Sequence, residues 1–400
     1  MTMLSLSMIV RNEAERLERC LASVAGFVDE MVLLDTGSSD ATAAIAERCG
    51  AVVHQMAWPG DFAPARNQAL QHVRGDWVLV LDADELLLEQ AKEPLRQLMA
   101  EPDVLLINLL RRELGAAQAP YSNVSRLFRR HSAVHWSGRY HSMVDDSVAA
   151  LIEREAHWRV LDCPVPALLH EGYSPELLSS GNKAARLRQA MEAELAERPG
   201  DPYACAKLGA LEISAGNTNR GLQLLQQGLE NCPTEAASER YELLLHLALA
   251  QASSGAVQAA AAHYREALAL ALPGRLTLGA QINLALLLLE QGQLDEAAHW
   301  AAAASQAAPE LALGWRALGL IERRRGDIAA AIAAYRQSLM REPDHPETEQ
   351  NLAVALLLGG DLDGARAGFS RAIRLLDAQG RSAEARALAQ QAGAMVKLEG

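Results

Sequence analysis

WVLVLDADE, residues 77–85, is an apolar run that stops abruptly on three carboxylates, Asp82, Asp84 and Glu85. An unbroken stretch of this kind reads as a strand covered on both faces, as in a parallel sheet. Acidic groups at its carboxyl end stand where open α/β sheets bind their ligands. Asp82 and Asp84, one residue apart, both project past the strand as the chain turns. They either hold a hard divalent cation that neutralises a pyrophosphate, or form a solvated acidic turn.

The segments before this run repeat its logic. LSLSMIV (4–10) reads as a strand, and Asn12 is a good N-cap for a helix carrying Leu17, Cys20, Leu21 and Val24 on one face. Residues 31–34 make a second strand ending at Asp35, and a turn through Gly37–Asp40 caps a helix over 41–49. Residues 51–55 are a third strand, 65–73 a helix and 77–81 the fourth strand. Strand and helix alternating in this way predict a doubly wound, mostly parallel sheet with helices on both faces. Parallel strands deliver Arg11, Asn12 and Glu13, then Asp35, then Asp82–Glu85 to one edge of that sheet. PARNQAL (64–70) places Arg66 and Asn67 at a helix start near the same edge. Arg66 either grips a phosphate or carboxylate in bidentate fashion or partners Asp61.

From about residue 200 the strand pattern gives way to Ala/Leu-rich helices. Turn glycines fall at Gly216, Gly255, Gly292, Gly326 and Gly360, and repeat-end prolines at Pro233, Pro273, Pro309 and Pro343. A period settling at 34 residues, built from helix–turn–helix units, is the tetratricopeptide signature. The organisation expected is an α/β domain over 1–190, about five repeats over 201–380 and a capping helix over 381–400. Each repeat buries its apolar face only against its neighbours, so the array forms a superhelix with a concave groove.

A net charge of −13, with 37 Lys and Arg against 50 Asp and Glu spread along the chain, leaves no basic footprint for nucleic acid. Positive charge toward a phosphorylated substrate has to be supplied locally, by a metal or a few arginines. The five cysteines are scattered with no C-x-x-C, which indicates neither a disulfide framework nor a zinc site. The amino terminus lacks the basic flank of a signal peptide, and no apolar stretch reaches a membrane span. A cytoplasmic protein without transmembrane segments is expected. The first glycine is Gly26, beyond the first helix, so no Gly-rich phosphate loop follows the first strand. This disfavours a Rossmann dehydrogenase, a P-loop enzyme and a nucleotidyltransferase.

SMIVRNEAERLERCLASV, VDEMVLLDTGSSDAT, DFAPARNQAL and GDWVLVLDADE, taken in order, resemble family-2 glycosyltransferases of the A-type, nucleotide-sugar-binding fold. The chain is further similar to the bacterial subgroup with tetratricopeptide repeats after the transferase domain, which includes lipopolysaccharide-core and peptide glycosyltransferases. RLFRR (126–130), the W-x-G-R-x-H stretch at 136–141 and LLHEGY (168–173) follow in the order of that subgroup. The resemblance implies an inverting transfer from a nucleoside-diphosphate sugar, UDP being the favoured nucleotide, to a saccharide or polypeptide acceptor. It implies that Val10, Asn12 and Glu13 line the nucleoside pocket and that Asp35 accepts from the base. Arg66 then lies near base or phosphate, and Asp82 near the ribose. Asp84 holds Mn²⁺ or Mg²⁺, with Asp82 beside it, and Glu85 steadies the acceptor or the metal's waters. His170 is a second metal or diphosphate ligand, or else a histidine packed at a strand end.

One block departs from the family. Where relatives read His-Glu, this chain has His141-Ser142, so the family's candidate for the base that deprotonates the acceptor is missing. Asp145 and Asp146, or His141 itself, are the expected replacements, the alternative being a solvated acidic turn. The competing reading is a non-catalytic tetratricopeptide scaffold with a degenerate nucleotide-binding domain. The groove of the repeats suits an extended peptide acceptor or a docked protein partner.

Overall fold

The computed structural model describes residues 2–116, 119–138, 142–171 and 183–395. It divides into two compact units that meet in sequence between Pro199 and Gly200.

The first unit is built on one eight-stranded sheet: β1 (Leu4–Val10), β2 (Glu30–Asp35), β3 (Val52–Gln55), β4 (Trp77–Val80), β5 (Glu85–Leu87), β6 (Val104–Glu113), β7 (Tyr121–Arg129) and β8 (Arg159–His170). Their spatial order is β3-β2-β1-β4-β7-β6-β8-β5. β3, β2, β1 and β4 run parallel, as the alternating pattern predicted. The second half is mixed. β7 returns beside β6 after a short connection and is antiparallel to both β6 and β4, while β8 is parallel to β6 and antiparallel to β5.

Side chains of β4 alternate between two cores, which is why its sequence is apolar without interruption. Trp77 and Leu79 pack with helix α1 (Leu17–Val24), α2 (Thr42–Arg48) and α4 (Glu89–Ala100). Val78 and Val80 pack on the other face with α3 (Phe62–Leu70) and α5 (Asp145–Arg154). The Arg129 guanidinium lies 4.8 Å from the centre of the Trp77 ring, so even this fully buried indole has a cation against its face.

Two helix starts differ from expectation. Asn12 does not cap α1, which begins at Leu17 with Arg16 at its N-cap. The Asn12 backbone is instead left-handed, at φ 56°, and its side chain accepts a hydrogen bond from Ser39 N at 2.8 Å. Asparagine tolerates that conformation better than most residues. Helix α3 begins at Phe62, three residues early, because Asp61 accepts from Ala63 N and Pro64 is tolerated in a first turn. Arg66 and Asn67 therefore sit in its second turn.

The first unit also takes in helix α6 (Lys183–Glu197). The second unit is all helical. Five helix pairs follow in order, 202–214 with 218–231, 237–253 with 257–268, 278–290 with 294–307, 312–325 with 328–339, and 346–358 with 362–378, ahead of a last helix, Ser382–Met395. Every periodic glycine, from Gly216 to Gly360, has φ between 74° and 90° with open space where a Cβ would stand. The period thus records a backbone requirement of the turn, which glycine meets without strain. Gly319 is different, because a Cβ there would lie 2.6 Å from Cδ1 of the buried Tyr335 ring. Gly319→Ala is expected to destabilise the repeat unit by about 1–3 kcal/mol, read as a lower urea midpoint for the helical signal.

Candidate active site

The mixed topology brings chemistry from eight strands to one edge. Parallel β1, β2 and β3 end there in register, Val10 beside Asp35 and Asp35 beside Gln55. β4 ends there in Asp82. β6 and β8 end there in Glu113 and His170, which are paired, and β5 starts there with Glu85 opposite His170. β7 runs the other way and passes Arg126 close to the end of β4.

Asp82 is the hub. Its Oδ1 accepts from Arg66 Nη2 at 2.7 Å and its Oδ2 from Arg126 Nη2 at 2.5 Å. Burial alone would raise this carboxyl, but the charges of Arg126 and Arg66 outweigh that and hold it far below the usual carboxylate range. Arg66 is itself buried, lies 4.7 Å from the centre of the Trp136 ring, and keeps Nε and Nη1 without a hydrogen-bond partner among the described residues. Arg126 likewise keeps Nη1 unpartnered. Buried donors left open in this way fit an anionic ligand.

Ala83 is buried in the core, so the turn throws Asp82 and Asp84 outward around it. Asp84 Oδ2 lies 3.3 Å from His170 Nε2, and the ring's Nδ1 lies 2.5 Å from Glu113 Oε2. Burial opposes charge on this histidine, yet the hydrogen bonds to Asp84 and Glu113 prevail and raise its pKa to about 9. Burial would also raise Asp84, but His170 brings it below its ordinary value. Asp84 remains 24% exposed, with Glu13 close enough that Asp84 and Asp82 add to the burial that pushes the Glu13 carboxyl up. Among the described residues no group of three or more His, Cys, Asp or Glu is placed to hold a metal, so Asp84 and His170 could supply at most two donors to a Mn²⁺ or Mg²⁺ whose other positions fall to substrate phosphates and water.

The remaining predicted residues fall in different places. Asp35 is buried, and Ser38 N and Oγ donate to its Oδ1 at 2.9 and 2.7 Å, so both bonds fall on one oxygen. The Val10 side chain points into the core and its carbonyl accepts from Thr36 N, so it does not line a pocket as expected. Asn12 ties the loop after β1 to Ser38 and Ser39, and its side chain serves that link. Glu85 is fully buried. It accepts from Asp82 N at 2.9 Å and Arg111 Nη1 at 2.6 Å, so it shapes the turn and cannot reach an acceptor. Asp145 opens α5 and accepts from Ser125 Oγ at 2.7 Å, while Asp146 accepts from Ser137 Oγ at 3.0 Å. Neither is hydrogen-bonded to Asp82 or Asp84 among the described residues. His141 lies outside the described residues.

Arg111, Glu113, Arg126 and Trp136 received no role from the sequence. The signal was present as charged residues inside otherwise apolar strands, LLRRE at 109–113 and RLF at 126–128.

Fold and site together define a glycosyltransferase. The family model for Glycosyl transferase family 2 matches residues 5–161, and a Tetratricopeptide repeat model matches 323–374. A TPR repeat-containing protein of Synechococcus elongatus is 43% identical over 99% of this chain and 98% of its own length. The chain belongs to the family-2 glycosyltransferases that carry carboxyl-terminal tetratricopeptide repeats. An uncharacterized glycosyltransferase of Rickettsia bellii is 27% identical over 47% of this chain and 72% of its own. The SPbeta prophage-derived glycosyltransferase SunS of Bacillus subtilis is 28% identical over 33% of this chain and 32% of its own. Among solved structures, YrrB, described as a TPR protein with an unusual peptide-binding site, aligns with a TM-score of 0.41 at 15% identity, covering 50% of this chain and 98% of that one.

Asp145 sits in an environment unfavourable to a charged carboxyl. Burial raises its pKa, against the Ser125 hydrogen bond, and its Oδ2 is buried without a partner. A carboxyl raised on folding loses stability as pH rises through its folded pKa, so at neutral pH the charged form is a burden. Asp145→Asn is therefore expected to raise the melting temperature at pH 7 by about 2–4 °C, the shift that roughly 1 kcal/mol produces in a unit of this size. The gain should shrink as pH falls and wild-type Asp145 takes up its proton, which its burial makes it hold more tightly than an ordinary carboxyl.

Proposed function

We propose that this glycosyltransferase is an inverting, metal-dependent enzyme of hexosyltransferase type that takes a sugar from a nucleoside diphosphate, UDP favoured, and passes it to a saccharide or polypeptide. The observation that carries the reading is the meeting of Arg66, Arg126, Asp82, Asp84 and His170 at one sheet edge.

Asp35 would read the base, its Oδ2 accepting from a ring N–H while Ser38 holds Oδ1. Asp82, immobilised by two arginines, faces the ribose. The open donors of Arg66 and Arg126 stand ready for the anionic part of the donor. Asp84 and His170 would hold Mn²⁺ or Mg²⁺. The bound cation would offset the negative charge that builds on the departing diphosphate.

An inverting reaction also needs a group to take the acceptor's proton as the acceptor attacks the anomeric carbon opposite the leaving group. Asp145 suits this better than Asp146, since burial raises its basicity and its Oδ2, though buried, has no hydrogen-bond partner among the described residues. Asp146 is exposed and bonded to Ser137. The repeats supply a groove of the kind that binds extended peptide, so a polypeptide acceptor or a docked protein partner belongs there. No described helix is long and apolar enough to cross a membrane. All five cysteines are free, which fits a reducing compartment, and we place the protein in the cytoplasm.

Hydrolysis of UDP-sugars in the presence of Mn²⁺ tests this directly. Asp84→Ala is expected to lower the rate by about 10²–10³-fold. Turnover unaffected by that substitution or by metal removal would contradict the reading.

A further inference from the structure

Glu113 closes β6, directly opposite His170 at the end of β8. Its side chain is 4% exposed, and its two oxygens divide their partners. Oε1 accepts from Arg111 Nε at 2.8 Å and from Ser122 Oγ at 2.5 Å, while Oε2 lies 2.5 Å from His170 Nδ1. One oxygen anchors the carboxylate to β6 and β7, and the other addresses the imidazole. The backbone fixes the same geometry, since Leu114 N donates to the His170 carbonyl at 2.9 Å and Glu113 N to Pro120 O at 2.9 Å.

An imidazole held through Nδ1 has only its Nε2 to offer elsewhere, and Nε2 faces Asp84 at 3.3 Å. We propose that Glu113, seated by Arg111 and Ser122, is a positioning residue that fixes the His170 ring so that Nε2 stands beside Asp84 as a cation ligand. The proposal rests on the reading of Asp84 and His170 as the cation-binding pair. Purely structural pairing would need less, because Arg111 alone neutralises Glu113 while also bonding Glu85. Committing the second oxygen to the ring, besides pairing charge, fixes the ring's orientation. Rigid strand ends are also where a ligand can be held to a fraction of an ångström.

Binding of Mn²⁺ to the full chain in saturating UDP, followed by the electron paramagnetic resonance of the free ion, tests this apart from turnover. Glu113→Ala is expected to weaken Mn²⁺ binding by about 10–100-fold, the usual effect of removing such a support. Glu113→Gln should weaken it by less. Its amide nitrogen cannot accept, so it must give up either the anchor or the ring. In a His170→Ala background, Glu113→Ala should add nothing, because the residue acts only through that ring. Melting curves of each variant establish that it is folded, and Glu113→Gln alone decides if Glu113→Ala is not. Affinity unchanged in a folded Glu113 variant, or an equal loss with and without His170, would overturn the proposal. Wild-type protein that binds no Mn²⁺, or His170→Ala that binds it fully, would instead overturn the underlying assignment of the cation pair.

Discussion

The Asp82 carboxylate, gripped on one oxygen by Arg66 and on the other by Arg126, is the interaction on which the site depends. It ties α3 and β7 to the turn that follows β4, adding a charged link to elements already packed together. Removing one arginine would leave charge uncompensated on the half-buried Asp82, at a cost reduced by the solvent that reaches it. The grip also continues into a chain of alternating sign. Arg126 lies 3.7 Å from Glu85, Arg111 bridges Glu85 and Glu113, and Glu113 reaches His170 and thence Asp84. Four carboxylates and three arginines, with one histidine, thus neutralise one another at a sheet edge that would otherwise reject so much buried charge. Such a network holds its members in fixed geometry, which is what catalysis at the proposed diphosphate site would require.

The sheet is the frame that makes this possible. A wholly parallel sheet would have delivered only strand ends to the edge. The antiparallel passage of β7 brings Arg126 alongside β4, and antiparallel β5 sets Glu85 opposite His170. The repeats follow a separate principle, a helical stack whose turns are set by left-handed glycines. The sheet unit and the repeat unit thus fold by different rules.

Much of this was legible in the residues. An apolar run ending on carboxylates marks a covered strand and its ligand edge, and the glycine period marks the repeats. What escaped notice depends on tertiary neighbours. Asn12 has the composition of an N-cap, but Ser39, 27 positions away, draws its side chain elsewhere. Glu85 looked reactive beside Asp84, yet it folds back onto Asp82 N and is sealed in by Arg111. Arg111 and Glu113 read as ordinary polar positions of a strand until β8 places His170 against them. Charges inside apolar strands mark such positions but not their partners, which come from other strands.

The central claim is that charged groups from distant stretches of chain converge to grip one diphosphate through a cation. Crystals of the protein grown with UDP and Mn²⁺, measured at a wavelength giving manganese anomalous signal, address it most directly. The account predicts an anomalous peak between Asp84 and His170, with the diphosphate toward Arg66 and Arg126 and the base against Asp35. A nucleotide bound elsewhere, or manganese with no contact to Asp84, would contradict it.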